Sequence, residues 1–481
     1  MHSLAQLDQQ YLWHPFTQMR DWAKREPIVI VRGQGTMLQD VYGREYLDAN
    51  SSIWTNLHGH NHPRINTAIA GQLKKIAHSS ALGLANEPAS LLGEKLVQSA
   101  NFKSRKPNRS SVQLNKVFFS DDGSTAMEVA LKLAYEFARR TGHSKRPRFL
   151  SLDGAYHGDT VGAVALGHVD LFHKAYSGLL FKTDRAMAPY CYRCPFNQAK
   201  PERADAREYR KCKWECLSQL ELKFASQKRN ASPYAGFVFE PLIQGAAGMI
   251  AQPEGWLRRA TDMARAHGAS LIADEVMTGF GRTGGEMNDL SSARSLRLFA
   301  CHKEAVQPDF LAVAKGLTGG YLPMAATLTT QKVFDAFLGD YEEFKTFFHG
   351  HSFTANQLGA AAALANLQLL AGAHSVRGRL RLEQVMREEL KHLWSHPNIG
   401  DIRQVGLIAG IELVRDWRTR KPFALSERAG IRVCEAMAER GVLTRPIGNV
   451  IVIMPPYCTT DKQMKKIAGS LSEAMVEVFK K

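Results

Sequence analysis

"PDFLAVAKGLTGGYLP", residues 308–323, reads as a buried strand running into a glycine-rich turn, with one lysine, Lys315, at the hinge. The apolar run Phe310-Leu311-Ala312-Val313-Ala314 needs cover on both faces, as the strands of a parallel sheet do. An ammonium wants water. Either Lys315 snorkels to the surface, or the chain needs an amine in a dry place with Gly316 leaving room beside it.

Similar runs lie upstream. "KVFFS" (116–120), "RFLSL" (148–152), "GFVFE" (236–240) and "SLIAD" (270–274) alternate with amphipathic stretches such as "TAMEVALKLAYEFARR" (125–140) and "GWLRRATDMARAHG" (255–268). The alternation predicts an α/β fold, a mainly parallel sheet covered by helices. Each run ends in a polar or glycine-rich loop, and ligands of such sheets bind at the carboxyl ends of the strands. "DDGS", "DGAYHG", "PLIQG", "DEVMTGFGRTGG" and "KGLTGG" are therefore expected to meet at one site. Beyond about residue 375 charged helices and short strands (406–413, 450–456) predict a smaller C-terminal lobe.

At 481 residues the chain exceeds one ordinary core, and 44% hydrophobic with 22% charged residues is a globular composition. The start "MHSLAQLDQQYLWHPF" lacks a secretory pattern. The longest apolar stretch, "GAAAALANLQLLAG", is too short to span a bilayer and carries Asn366 and Gln368. A cytoplasmic protein without membrane contact is expected. The net charge of +16 sits in short pieces at 103–110, 143–148 and 200–213, not interleaved with aromatics as a nucleic-acid groove would be. No nucleic-acid partner is expected. Four of the seven cysteines form "CYRC" (Cys191, Cys194) and "CKWEC" (Cys212, Cys216), close to metal-ligand spacing. The second pair is one residue wider than the commonest knuckle and no histidine joins it, so reduced thiols in an insertion at about 190–230 are expected and no metal is assigned to the site, with a bound zinc or iron–sulfur centre as the alternative.

Three loops carry chemistry. In "VFFSDDGSTAMEVALKLA" a helix is expected to start near Ser124 or Thr125. Its free N–H groups suit an anion, and Thr125 and Glu128 also have the spacing of a capping box. Asp274 closes an apolar strand, and a buried carboxylate must find a cation, either in the core or on a ligand. Tyr156 and His157 offer an aromatic plate or plain packing. Amine, acid, plate and phosphate cradle together describe pyridoxal phosphate, with the lysine as its Schiff-base partner and the acid keeping the pyridine nitrogen protonated.

The block "LIADEVMTGFGRTG…PDFLAVAKGLTGG" resembles the cofactor-lysine signature of class III, fold-type-I aminotransferases. "YLWHPFTQM", "NSSIWTNLHGHNHP", "SDDGSTAMEVALK", "AYHGDTVGAVALG", "FEPLIQGAAGM", "FHGHSFTANQLGAAAAL" and "VLTRPIGNVIVIMPPY" further resemble the 7,8-diaminononanoate synthases of biotin biosynthesis. The resemblance implies a large domain with a mainly parallel seven-stranded sheet (61–340) and a smaller α+β domain from segments 1–60 and 341–481. It implies that Lys315 holds the aldehyde and moves the proton, and that Asp274 pairs with the ring nitrogen. Val276 and Tyr156 would cover the two ring faces, and Gly123 and Ser124 would bind the phosphate. Ser352 would reach the phosphate of a partner subunit's cofactor, which implies a homodimer with shared sites. Arg445 would clamp the carboxylate of 8-amino-7-oxononanoate, where a surface salt bridge is the plainer reading, and Trp54 would line the substrate tunnel.

Phe16, Ile53 and His351-Ser352 depart from the pattern of members that take S-adenosylmethionine as amino donor. They are similar to the branch that uses L-lysine, so lysine is the expected donor and S-adenosylmethionine the alternative. Another ω-aminotransferase, acting on 4-aminobutyrate, ornithine or a diamine, would share the cofactor residues. A basic nucleic-acid-binding module on a dead transaminase fold is the reading from another class, and intact Lys315 and Asp274 speak against it.

Overall fold

A computed structural model describes residues 1–101, 112–229, 233–284 and 297–480. The basic run at 103–110 lies outside the described residues. Seven strands build the central sheet: β1 (Leu114–Ser120), β2 (Arg148–Leu152), β3 (Asp184–Ala186), β4 (Tyr234–Phe239), β5 (Ser270–Asp274), β6 (Phe310–Val313) and β7 (Ala325–Thr330). Their spatial order is β1-β7-β6-β5-β4-β2-β3. Five of them, β2 to β6, run parallel, and only β7 is antiparallel to its neighbours β6 and β1. The sheet is thus mainly parallel, with one reversed strand between β1 and β6.

Strand alternation sorts the core into two layers. Phe310 and Ala312 of β6 and Ile272 of β5 pack with the apolar face of helix Gly123–Arg140, through Met127, Ala130 and Ala134. Leu311, Val313, Leu271 and Ala273 face the other way, into a core shared with Trp256, Leu257, Ala260 and Ala264 of helix Trp256–Ala266. Burial on both sides explains the unbroken apolar runs. Asp274 follows Ile272 in the alternation, so it belongs to the face on which helix Gly123–Arg140 begins.

That helix starts at Gly123, one residue before the expected position. The expected pairing of Thr125 with Glu128 is not its cap. Asp122 accepts from the Thr125 N–H at 2.9 Å, and the Asp122 N–H donates to Thr125 Oγ1 at 3.0 Å. Glu128 instead accepts from the N–H groups of Gly162 and Ala163, at 2.7 and 3.2 Å. An acceptor that can serve a neighbouring helix N-terminus looks, in sequence, like one that serves its own.

The first and last parts of the chain meet. Strands Ile30–Gln34, Met37–Asp40 and Glu45–Asp48 form a sheet completed by Val442–Leu443, which runs parallel to Glu45–Asp48. A second sheet joins Ile399–Val405, Ile408–Asp416, Val450–Ile453 and Pro446–Ile447. Helix Gln357–Ala371 is apolar on all sides and is buried among Pro63–Leu73, Glu87–Ala100 and Ala373–Lys391. Among the described residues no helix is long and apolar enough to cross a membrane.

Candidate active site

A cavity of about 490 Å³ opens at the carboxyl ends of β4, β5 and β6. Gly123, Ser124, Tyr156, Asp274, Val276, Lys315 and Trp54, all named from sequence, line it.

Lys315 begins the turn after β6 in the left-handed region, at φ 43. This backbone, costly for a side-chain-bearing residue, turns the chain at the hinge. Burial lowers the pKa of the Lys315 amine, while the charges of Asp274 and Glu240 act in the opposite direction. Its Nζ stands 4.6 Å from the centre of the Trp54 ring. Gly316, the next residue, lies against Leu57 and Phe280, where an added Cβ would sit 3.2 Å from each. Lys315 is half-buried, lining the cavity with its amine over the Trp54 ring.

Asp274 is 5% exposed. Its Oδ2 lies 2.8 Å from His157 Nδ1, and its Oδ1 accepts from the Val276 N–H at 3.0 Å. The acid therefore has a partner within the chain and still borders the cavity. His157, which the sequence offered only as an aromatic neighbour of Tyr156, is its orienting group.

Glu240 was missed from sequence. It is buried, lines the cavity, and accepts from the N–H groups of Gly245 at 2.7 Å and Tyr156 at 3.4 Å. Burial pushes its carboxyl up to about 7, with the Asp274 charge adding to the effect. The only sequence signal was an acid directly after the all-buried strand β4.

At the helix start, a Cβ on Gly123 would come within 2.7 Å of Val276 Cγ1. Gly158, at φ +123, lies so close to Ser124 that a Cβ would stand 2.2 Å from Ser124 Oγ. The Asp159 N–H donates to that Oγ at 3.0 Å. Two glycines thus bring three loops together around the first turn, where the Gly123 and Ser124 N–H groups precede the intrahelical ladder. Tyr156 donates through its hydroxyl to Asp159 at 2.6 Å. Burial raises the Tyr156 hydroxyl far above its ordinary pKa.

Trp54 closes a turn in which Ser51, Ser52, Ile53 and Trp54 are all left-handed, at φ 48, 46, 63 and 72. Ser51 Oγ donates to the Met454 carbonyl at 2.6 Å, Asp48 accepts from the Ser52 N–H and hydroxyl, and Trp54 Nε1 donates to Asn50 at 2.9 Å. Burial opposes the charge of Asp48, but hydrogen bonds from His60, Ser52 and Asn50 outweigh it and hold its pKa low. Beyond Trp54 an apolar cluster of Ile243, Met277, Ile408, Val452 and Met454 extends toward Ile447.

Three expected residues stand outside the cavity lining. Phe16 is exposed, but its ring meets Phe172 edge-on at 5.3 Å, and Phe172 meets Tyr156 at 6.2 Å. Arg445 is exposed on the turn between Val442–Leu443 and Pro446–Ile447, two residues from Ile447. Among the described residues no carboxylate forms an ion pair with it, so the surface salt bridge is absent. Ser352 is exposed, on the segment before helix Gln357–Ala371. The four cysteines of the insertion are unbridged and border one small void.

Known proteins resemble this chain over nearly its whole length. An adenosylmethionine-8-amino-7-oxononanoate aminotransferase of Geobacter sulfurreducens is 45% identical over 98% of this chain and 97% of its own length. The protein of the same name from Methanocaldococcus jannaschii is 40% identical over 98% of each chain. A crystal structure of the latter enzyme superposes with a TM-score of 0.86 over 98% of both chains, at 38% identity. An ω-transaminase of Pseudomonas jessenii in complex with PMP superposes at 0.86 over 100% of this chain and 99% of its own, at 26% identity. The residues present fit the cofactor. The amine has a lowered pKa, a buried acid borders the cavity, and two close-packed glycines keep the first helical turn clear of Cβ atoms. The class-III aminotransferase family matches residues 19–475, and with these relatives the chain belongs to that pyridoxal-phosphate-dependent family.

Proposed function

We propose that the protein converts 8-amino-7-oxononanoate to 7,8-diaminononanoate, the amination step of biotin synthesis, as a cytoplasmic homodimer with L-lysine as amino donor. The observation that carries the reading is the Lys315 amine over Trp54, with Trp54 packed on an apolar cluster that reaches Ile447, two residues from Arg445, which has no ion-pair partner among the described residues. A long apolar acid with a ketone at one end and a carboxylate at the other matches that arrangement. Arg445 would take the carboxylate in its guanidinium fork. The relatives' names carry the same substrate.

Bound pyridoxal phosphate supplies an aldehyde and a protonated ring that draws electrons from the carbon bearing the amino group. Gly123 and Ser124 would hold its phosphate with N–H groups at the positive end of their helix. Asp274, oriented by His157 and the Val276 N–H, would keep the ring nitrogen protonated. Tyr156 and Val276 would cover the ring faces. Lys315 would carry the transferred proton on Nζ: its lowered pKa leaves a larger neutral fraction to take a proton from the donor's carbon and pass it to the cofactor's former aldehyde carbon, and to run the same transfer backwards in the second half-reaction. Trp54 and Met277 would keep water from that proton.

Ser352 would complete the phosphate site of a second copy. Exposed Leu82 (91%), Phe348 (71%) and Phe353 supply an apolar surface for such a contact. The division into segments 1–60, 61–340 and 341–481 belongs to the same reading.

S-adenosylmethionine is the second donor reading, favoured by the names of the relatives. Phe16 favours lysine, because a phenyl ring behind Phe172 gives an adenosyl-bearing donor no hydroxyl to bond. Purified holoenzyme assayed with each donor separates them. Diaminononanoate formed with lysine alone supports the proposal, S-adenosylmethionine alone reverses the donor, and no product with either removes the substrate.

A further inference from the structure

Between Ala186 and Glu215 the chain has one regular element, the single turn Ala206–Tyr209. This strap nevertheless docks on the C-terminal segment 399–420. Arg193 Nε donates to Glu412 at 2.8 Å, Arg203 to the Ile399 carbonyl at 2.7 Å, and Arg207 to the Gln404 carbonyl at 2.8 Å. Arg420 returns the contact, donating to the Tyr192 carbonyl at 3.1 Å. A stretch so poor in secondary structure has little of its own to hold it in one conformation.

Cys191, Cys194 and Cys212 of the strap and Cys216 of the helix that follows it border one void of about 10 Å³. That space takes one atom, not an iron–sulfur cluster. No carboxylate or imidazole borders it. One of the sulfurs has a cationic donor. Arg210 Nη1 donates to Cys212 Sγ at 3.2 Å. A guanidinium on sulfur suits a thiolate, since a thiol is a weak acceptor. Four sulfurs on one small void, with a guanidinium at its edge, suit a soft cation.

We propose that Cys191, Cys194, Cys212 and Cys216 bind one zinc ion, which staples the strap between the two lobes. The C-x2-C and C-x3-C pairs supply the tetrahedral all-sulfur set that zinc prefers. Binding converts four thiols to thiolates and releases four protons to solvent, with no change of oxidation state. The resulting anionic centre lies beside Arg210 and Arg259, whose guanidinium carbons stand 4.0 and 4.4 Å from the Trp214 ring. Among the described residues no group of three or more His, Cys, Asp or Glu side chains is placed to hold a metal ion as it stands. Binding therefore requires rotation of the half-buried Cys194 and Cys212 toward the buried Cys191 and Cys216.

Full-length holoenzyme produced in zinc-supplemented medium and dialysed should contain about one zinc per chain. A mercurial that blocks thiols should release it to a chromophoric chelator in step with four cysteines, and cobalt(II) in its place should give thiolate-to-cobalt absorption. The C194S/C212S double variant should lose the metal and become open to limited proteolysis between residues 187 and 214. Should that variant fail to fold, the mercurial titration of the wild type decides. Zinc retained by a folded double variant, four cysteines that react freely without releasing metal, or disulfides among them by peptide mass mapping would each overturn the proposal.

Discussion

His157 Nδ1 stands 2.8 Å from Asp274 Oδ2, both side chains buried at the floor of the cavity. The pair fixes the direction in which the carboxylate presents its other oxygen. It also answers how an acid is kept dry at the end of an apolar strand: the partner comes from the loop after β2, two strands away in the sheet.

Replacing His157 by Ala frees that carboxylate to rotate and removes a hydrogen bond to a buried charged group, a loss of about 1.5–3 kcal/mol. The expected result is a fall in kcat of about ten- to a hundredfold, with a blue-shifted or broadened cofactor absorption band. His157→Asn, which can still donate to Asp274, should recover part of the rate. Equal rates in both variants would make the histidine a packing residue only.

Lys315→Ala should abolish turnover while the cofactor still binds through the helix start and Asp274. Borohydride should fix the cofactor to residue 315 of the wild type and to nothing in the variant. Asp274→Asn should leave the fold intact and slow the reaction by orders of magnitude, since the ring loses the charge that keeps its nitrogen protonated. A near-normal rate in either variant would contradict the roles given to them.

Arg445→Ala should raise KM for the oxononanoate about ten- to a hundredfold with little change in kcat, because the clamp is remote from the bond being made. Methyl-esterified substrate should show the same rise with the wild type and little further rise with the variant. An unchanged KM would place the carboxylate elsewhere.

Glu240 gives a pH signature in the cofactor-free protein. Its folded value of about 7 lies above the ordinary 4.5, so the folded chain keeps a proton that the unfolded chain gives up first. The contribution is greatest below pH 4.5 and declines as pH rises through about 7, by about 3 kcal/mol. Glu240→Gln should remove this component, so that urea unfolding on the two sides of the window differs less for the variant than for the wild type. Identical pH dependence would mean that Glu240 is ionised throughout.

Gly158→Ala places a methyl group 2.2 Å from Ser124 Oγ at a backbone angle few side chains adopt. Weakened cofactor retention, read by equilibrium dialysis, is expected together with a lower Tm. Unaltered affinity would separate this glycine from the phosphate cradle.

Much of the fold was legible because β2, β4, β5 and β6 are buried on both faces and read as continuous apolar runs. The three-residue strand β3 is too short to leave a pattern, and β7, "AATLTT", is rich in small and hydroxylated residues that sequence does not separate from a loop. Within the site, Lys315, Asp274 and the loop at Gly123 announce themselves by placing a polar or flexible residue where an apolar element stops. Glu240 and the orienting role of His157 do not, because each depends on which strand lies next to which. The cap of helix Gly123–Arg140 was misread for a related reason: Glu128 has the right spacing for its own helix but serves the one at Val161–Leu166.

The four left-handed residues that carry Trp54 have a mechanical consequence. A right-handed chain spends about 1–2 kcal/mol on each such residue, most conspicuously at the β-branched Ile53. The turn persists because Asp48 holds it from one side and the Met454 carbonyl from the other. The strain is therefore shared across the molecule: the first part of the chain stays coiled only while strand Val450–Ile453 and its following residue hold their place beside it.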